Sequence, residues 1–416
     1  MLTETQYLSR KFPALAKALA AVMPSLEPYR ISAIDLHNQA RVLEAFSQHR
    51  VDSYDLLGST GYGYNDCGRE KLEAIYCQVF GGEAALVRPQ IASGTHALWL
   101  GLSGNAQPGD EIIAITGQPY ATLATVLAQT GPGSFKSLGI KFKTIDLLPA
   151  GDFDLDALAR ILSPQTKIIY IQKSRGYSLR NPISTKQIGE LAAWLKGKAV
   201  SPAVIVDNCY GEFVEIREPG EAGADLTIGS LIKNPGGGLA ETGGYLVGRT
   251  DLVTNAADRL LAPGLAGEIG STGNYLRAMY QGLFLAPHFV GQAVYNARFA
   301  AAMAEYLGLV TTPRWDEDRY DLVQIIELGS AEKMGKFCRA IQAASPVDSF
   351  VAPVPGEMPG YQVPVIMAAG TFIQGASLEL SADGPVEPPY IVYYQGGLSV
   401  QHGMLAIAAA LAAISS

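Results

Sequence analysis

Apolar residues fall into two rhythms along this chain. Over residues 8–22 and 32–49 they recur at helical spacing, and in the second stretch Ile34, Val42, Leu43 and Phe46 can share one face. These helices precede any strand pattern and are expected to pack on another part of the chain. From residue 84, short apolar runs alternate with helical segments. The runs are Ala84–Val87, Ile112–Ile115, Phe142–Ile145, Ile168–Ile171, Ala203–Val206, Leu226–Ile228 and Tyr245–Val247. The clearest intervening helix is 185–196, where Ile188, Leu191, Ala192 and Leu195 share a face behind a Ser184/Thr185 cap. Such alternation predicts a parallel sheet with helices on both faces. The link from Ile228 to Tyr245 is rich in proline and glycine and leaves little room for a crossover helix. The last strand should therefore be antiparallel to its neighbour. The fold class expected is α/β, with a seven-stranded, mostly parallel sheet and one antiparallel strand.

After about residue 262 the texture changes. Helical spacing at 274–285 and 291–307 gives way to shorter β-like pieces such as Leu322–Ile326, Val363–Met367 and Ile391–Tyr394, and then to an alanine-rich run, Met404–Ile414, that reads as a packed helix. This divides the chain into an N-terminal helical segment over 1–50, a large domain over 51–262 and a smaller C-terminal α/β domain over 263–416.

At 416 residues the chain exceeds what one hydrophobic core usually supports, consistent with two lobes. A net charge of −8, with no lysine or arginine run, argues against nucleic acid as the main partner. Cys67, Cys77, Cys209 and Cys338 are dispersed without a CxxC spacing, and the five histidines form no HxxxH or HxH pair. Reduced thiols in a cytoplasm are expected, and no metal. The polar opening residues do not read as a signal peptide, and Met404–Ile414 is too short to span a bilayer, so no membrane partner is expected.

Three stretches carry chemistry. Ser93-Gly94-Thr95-His96 follows the first strand and opens a helix, where free backbone N–H groups and two hydroxyls suit an anion. An ordinary helix cap has the same letters. Asp207, in Val206-Asp207-Asn208-Cys209-Tyr210-Gly211-Glu212-Phe213, ends a fully apolar strand, where a carboxylate is expensive unless paired with a cation. Lys233, in Ser230-Leu231-Ile232-Lys233-Asn234-Pro235-Gly236-Gly237-Gly238, sits at the mouth of a strand on a rigid loop. A desolvated lysine there can lose its proton and attack an aldehyde. All three lie at carboxyl ends of parallel strands, where open α/β sheets bind ligands. Tyr120, in Gly117-Gln118-Pro119-Tyr120, ends the second strand and could stack on a planar ligand. A glycine- and tyrosine-rich loop, Gly58–Asp66, precedes these and carries Tyr62 and Tyr64. A phosphate, a pyridinium nitrogen and an aldehyde together match pyridoxal phosphate.

With those motifs, and with Gly61-Tyr62-Gly63-Tyr64-Asn65-Asp66 and Thr371-Phe372-Ile373-Gln374-Gly375, the chain resembles the fold-type I, aspartate-aminotransferase-like pyridoxal-phosphate enzymes. The likeness is to the aluminium-resistance, methionine gamma-lyase-like family related to cystathionine lyases, and it runs from about Val51 to Tyr394. The resemblance implies that Lys233 is the Schiff-base lysine and that Asp207 holds the pyridine nitrogen. It also implies that Ser93, Gly94 and Thr95 with Ser230 hold the phosphate, that Tyr120 stacks on the ring, and that Tyr210 bonds the ring hydroxyl. Lys233, Asp207 and Tyr120 would be the catalytic set. Tyr62, Tyr64 and the Gly270-Ser271-Thr272 turn would come from a neighbouring subunit of a homodimer or homotetramer.

The family pattern is not complete. No arginine follows the lysine, where the chain reads Leu239-Ala240-Glu241-Thr242, and none occurs from Phe372 to Val400 to clamp a substrate carboxylate. Arg175, at a strand end, is the substitute candidate, with Tyr64 also facing substrate. The expected activity is carbon–sulfur elimination, beta or gamma, on methionine, cysteine, homocysteine or cystathionine. A pyridoxal-phosphate-binding stress protein with little turnover, or another pyridoxal-phosphate reaction on amino acids, is the alternative. Ser230-x-x-Lys233 also matches the acyl-transferase Ser-x-x-Lys motif, but the Ser-Asp-Asn and Lys-Thr-Gly partners are missing.

Overall fold

A computed structural model of the chain describes residues 2–128, 131, 133–358 and 360–415. The chain divides into two compact units. One is formed by residues up to Leu36 together with those from Ala286 onward, and the other by His37–Leu285. The bounds thus fall at 36/37 and 285/286 rather than at 50 and 262. The reason is local packing. In the helix Ala33–Gln48, Asn38 donates to the carbonyl of Phe213 at 2.9 Å, and the Phe46 ring lies 5.8 Å from both Tyr280 and Phe284.

The larger unit holds the expected sheet. Its strands are β1 (Ala84–Arg88), β2 (Glu111–Ala114), β3 (Lys141–Thr144), β4 (Thr166–Gln172), β5 (Ala203–Asp207), β6 (Leu226–Ser230) and β7 (Gly244–Gly248). They lie in the order β1-β7-β6-β5-β4-β2-β3. From β3 to β6 the pairings are parallel, and β7 runs antiparallel to both β6 and β1. All seven apolar runs form strands, and the reversed strand is the one the short 228–245 link requires. Alternate residues point to opposite faces. Ile168 and Tyr170 join Leu98, Leu102 and Ile228 on one side. Ile169 and Ile171 join Ile188, Leu191 and Leu195 of the helix Thr185–Lys196 on the other. That helix opens with a reciprocal cap, in which Ser184 and Gln187 each accept the other's backbone N–H.

The smaller unit carries β8 (Val310–Thr312), β9 (Gln324–Glu327), β10 (Val365–Ala368), β11 (Ser381–Pro385) and β12 (Ile391–Gln395), all antiparallel, in the order β10-β11-β12-β9-β8. Helices Ala331–Ala343 and Val400–Ser415 pack on it through Phe337, Ile341, Met404 and Ile407. The expected helix over 8–22 is two, Glu4–Lys11 and Ala16–Leu26, because Pro13 starts a short 3₁₀ turn between them. Conversely, 274–285 and 291–307 belong to one helix, Leu276–Tyr306, which continues past Pro287. Among the described residues no helix is long and apolar enough to cross a membrane. No group of three or more His, Cys, Asp or Glu among them is placed to hold a metal ion. All four cysteines are free thiols.

Candidate active site

The expected site residues all lie in the larger unit, and most converge at the carboxyl ends of β4, β5 and β6. Ser93 is extended and caps the helix Gly94–Gly104, its Oγ accepting the His96 N–H at 3.1 Å. His96 returns a cap of its own, accepting the Ala92 N–H at Nδ1. The helix lies close on β6, where a Cβ at Gly101 would stand 2.3 Å from Ile228 Cδ1. This closeness brings its first turn to the site. A Cβ at Gly94 would stand 3.4 Å from both Cys209 Sγ and Ser230 Cβ. Thr95 Oγ1 and the Tyr120 hydroxyl are 2.9 Å apart. The Tyr120 N–H donates to Gln172 Oε1 at 3.0 Å, tying the loop after β2 to the end of β4.

Asp207 ends β5 with its carboxylate buried. Oδ1 accepts the Cys209 N–H at 3.1 Å, and Oδ2 accepts the Tyr170 hydroxyl at 3.4 Å. Burial pushes the carboxyl up from its ordinary value, and the charge of Lys233 pulls against it. Lys233 follows β6, and its Nζ stands 4.0 Å from the centroid of the Tyr210 ring. Burial pulls the ammonium down, but Cys209, Tyr210, Asp207 and Tyr120 face it and hold it above an ordinary lysine. Tyr210 reaches this position from a left-handed backbone, φ 71°.

The Lys233 loop rests directly on a helix. Gly237 has φ 53°, and a Cβ there would stand 2.4 Å from the carbonyl oxygen of Gly282 in Leu276–Tyr306. A Cβ at Gly282 would in turn stand 2.2 Å from the carbonyl oxygen of Gly236. Only glycines allow two backbones to approach this closely.

These residues fit pyridoxal phosphate. Ser230 Oγ is wholly buried and has no hydrogen-bond partner among the described residues. It lies beside the start of an eleven-residue helix whose first N–H groups have no acceptor within the helix, so a phosphate would satisfy both. Asp207 offers an anion for a ring cation, and Lys233 offers an amine. Arg175 is placed differently. It is 1% exposed, on the turn after β4, and the position of a Cβ on the next residue, Gly176, is 3.9 Å from Tyr120 Cβ.

Tyr62 and Tyr64 do not join the buried cluster. They are 74% and 56% exposed, with their rings 5.8 Å apart. Their loop is fixed to the 268–273 turn. Arg69 donates to the carbonyls of Gly63 at 2.7 Å and Gly270 at 2.9 Å, the Gly270 N–H donates to the carbonyl of Tyr62 at 2.9 Å, and Thr272 Oγ1 donates to Asp66 Oδ2 at 2.6 Å. The loop and the Gly270-Ser271-Thr272 turn are thus presented as one piece.

Sequence reasoning missed Tyr170, Gln172, Cys209 and Glu212. Register held a signal for two of them. Gln172 pairs with Asp207 across β4 and β5, and Tyr170 lies two residues earlier, so both polar tips had to point near Asp207.

Residues 14–415 match the family profile described as methionine gamma-lyase. The chain is 50% identical over 385 residues to the uncharacterized protein YnbB of Bacillus subtilis (strain 168), spanning 92% of this chain and 91% of YnbB. It is 31% identical over 201 residues to L-methionine gamma-lyase of Pseudomonas putida, 48% of this chain and 44% of that enzyme. Among solved structures, the carbon–sulfur lyase involved in aluminum resistance from Clostridium novyi NT superposes with a TM-score of 0.94 at 40% identity, each chain 99% covered. The sheet, the half-buried lysine near a strand-end aspartate and the match over almost all of the chain lead to one conclusion: this chain belongs to the methionine gamma-lyase family of pyridoxal-phosphate-dependent, fold-type I enzymes.

Proposed function

We propose that the chain is a carbon–sulfur lyase that eliminates a thiol or sulfide from methionine, cysteine, homocysteine or cystathionine, with Lys233 as the lysine that captures the cofactor aldehyde. The observation that carries this is the half-buried Lys233 amine just after β6, 4.0 Å from the centroid of the Tyr210 ring and under the charge of the Asp207 carboxylate. Bound pyridoxal phosphate supplies an aldehyde that captures amines and a ring that stabilises negative charge on the carbon beside them. Gly94, Thr95, Ser93 and Ser230 would hold its phosphate, Tyr120 would pack on its ring, and Tyr210 would face its hydroxyl. Asp207 would hold a proton on the ring nitrogen. A ring cation held by Asp207 would offset one of the negative groups that, with Cys209, Tyr210 and Tyr120, favour the Lys233 ammonium, and Lys233 is the group placed to act as the base. Lys233 then takes the proton from the substrate α-carbon and returns it as needed when the sulfur group departs. Arg175 is the residue assigned to the substrate carboxylate. The four free thiols suit a reducing, cytoplasmic setting.

Tyr62 and Tyr64 complete the site of a second copy in a homodimer, or in a tetramer built from two dimers. Their exposure on a loop already fixed to the 268–273 turn supports this. One observation favours a second reading, a cofactor-binding protein with little turnover: the stretch 372–400 lacks arginine and Arg175 is buried. The test is a 2-oxo acid assay on each of the four amino acids with saturating cofactor, alongside the visible absorption band. A yellow protein that loses its band in Lys233→Ala and releases 2-oxo acid and ammonia supports the lyase. A yellow protein with no product from any of the four supports the second reading, and a protein colourless after incubation with cofactor sinks both.

A further inference from the structure

Behind Lys233 lies a buried carboxyl group that the proposed reaction does not use. Glu212 is wholly buried, two residues beyond Tyr210. Its backbone carbonyl accepts from Nδ2 of Asn234, the residue next to Lys233, at 3.0 Å. Its Oε1 accepts from the hydroxyl of Tyr245 on β7 at 2.9 Å. Tyr245 pairs across the sheet with Gly229, and only glycine fits there, since a Cβ would stand 2.6 Å from Glu212 Oε1 and 2.4 Å from the Tyr245 ring. The ring is itself wedged against Phe80, centroids 5.1 Å apart, and Tyr76, at 5.6 Å. One residue is therefore tied at both ends, by its main chain to the loop that carries Lys233 and by its side chain to a rigid central strand.

We infer that Glu212 is a positioning residue for the Lys233 amine, a buried brace between β7 and the lysine loop. The inference rests on the assignment of Lys233 above. Lysine is a long, flexible side chain, so the reach of its amine depends on where its backbone is fixed. A misplacement of about 1 Å at a reacting group costs roughly a hundredfold in rate. The tip of Lys233 is faced by Asp207, Cys209, Tyr210 and Tyr120, and Glu212 is faced by Glu218, Tyr245, Tyr76 and Lys233. Burial pushes Glu212 up to about 8, so near neutral pH it is mostly the uncharged acid and does not compete with Asp207 for the ammonium. An amide can accept the same Tyr245 bond, and a hydrocarbon cannot.

The test compares E212L, E212Q, Y245F and K233A as holoenzymes at pH 7. Cofactor affinity, the pH midpoint of the visible band, and kcat and KM are read separately. E212L is expected to keep its circular dichroism, shift the band midpoint, and lose about tenfold or more in kcat with KM within about twofold. E212Q restores most of that loss, and Y245F moves in the same direction by less. An unchanged band and kcat in E212L overturns the inference, as does E212Q as impaired as E212L, which would assign charge rather than bracing. Should E212L fail to fold, Y245F decides alone, and its parental behaviour overturns the brace. K233A that keeps its band overturns the lysine assignment itself, a different failure from a brace that proves idle.

Discussion

Replacing Gly282 by alanine sets two effects against each other. In the interior of an ordinary helix, alanine is worth about 1 kcal/mol over glycine. Gly282 lies in such a helix, Leu276–Tyr306, yet a Cβ there would stand 2.2 Å from the Gly236 carbonyl oxygen and 2.8 Å from its carbonyl carbon. Both are main-chain atoms and cannot rotate aside. Contact distances for such atoms require the two backbones to separate by roughly 1 Å. Overpacking of this kind costs about 1–3 kcal/mol, so a net loss on the order of 1 kcal/mol is expected in place of the gain. The displaced segment is Asn234–Gly236, which follows Lys233 directly, so turnover should fall about 10- to 100-fold. Urea unfolding gives the stability change, and the visible band with steady-state turnover reads the lysine. A G282A protein that gains about 1 kcal/mol and keeps its turnover would refute the reasoning, because the backbone contact would then carry no cost.

Three other outcomes are expected. Asp207→Ala should keep the fold and lose on the order of a hundredfold in turnover, because the ring cation loses its fixed countercharge; near-parental turnover contradicts the assignment. Glu212 titrates higher when folded than the ordinary 4.5, so its contribution to stability is present below pH 4.5 and is lost as pH rises through about 8. At about 1.4 kcal/mol per pH unit this is on the order of 5 kcal/mol, and unfolding curves from pH 5 to 9 should show a shallower decline for E212Q than for the parent. Mixing inactive Lys233→Ala with inactive Tyr64→Ala chains should recover part of the activity if the tyrosine loop serves a second copy, and an active monomer at low concentration would contradict the shared site.

The large sheet was legible because each strand is a short apolar run between turn residues, and because the 228–245 link is too short for a parallel return. The small sheet was legible only in part. β11 reads Ser-Ala-Asp-Gly-Pro, with neither β-branched residues nor alternation, and it is a strand only because β10 and β12 flank it. The break expected between 285 and 291 did not occur and the helix runs through Pro287, since one missing N–H is a smaller loss than the packing of a long helix. At the site, Lys233, Asp207 and the Ser93 cap could be found because their chemistry is unusual for where they stand. Tyr170 and Gln172 could be found only once the pairing of β4 with β5 set their register against Asp207, and Glu212 could not, because an isolated polar residue after an apolar strand gives no sign of which distant group it meets.

The excursion that carries Tyr210 is fixed by local bonds, such as Cys209 N–H to Asp207 and Phe213 N–H to Glu218, and by others that reach far along the chain. Asn38 donates to Phe213, Lys173 pairs with Glu215 at 2.8 Å, Thr185 donates to Glu215, Asn234 donates to the carbonyl of Glu212, and Tyr245 donates to its carboxyl. With both Tyr210 and Phe213 in the left-handed region, the segment does not hold this form by itself. Each of those distant contacts closes a long loop of chain. The lysine's neighbourhood therefore depends on segments far off in the sequence, so that a change at Asn38, Thr185 or Tyr245 reaches the loops around it.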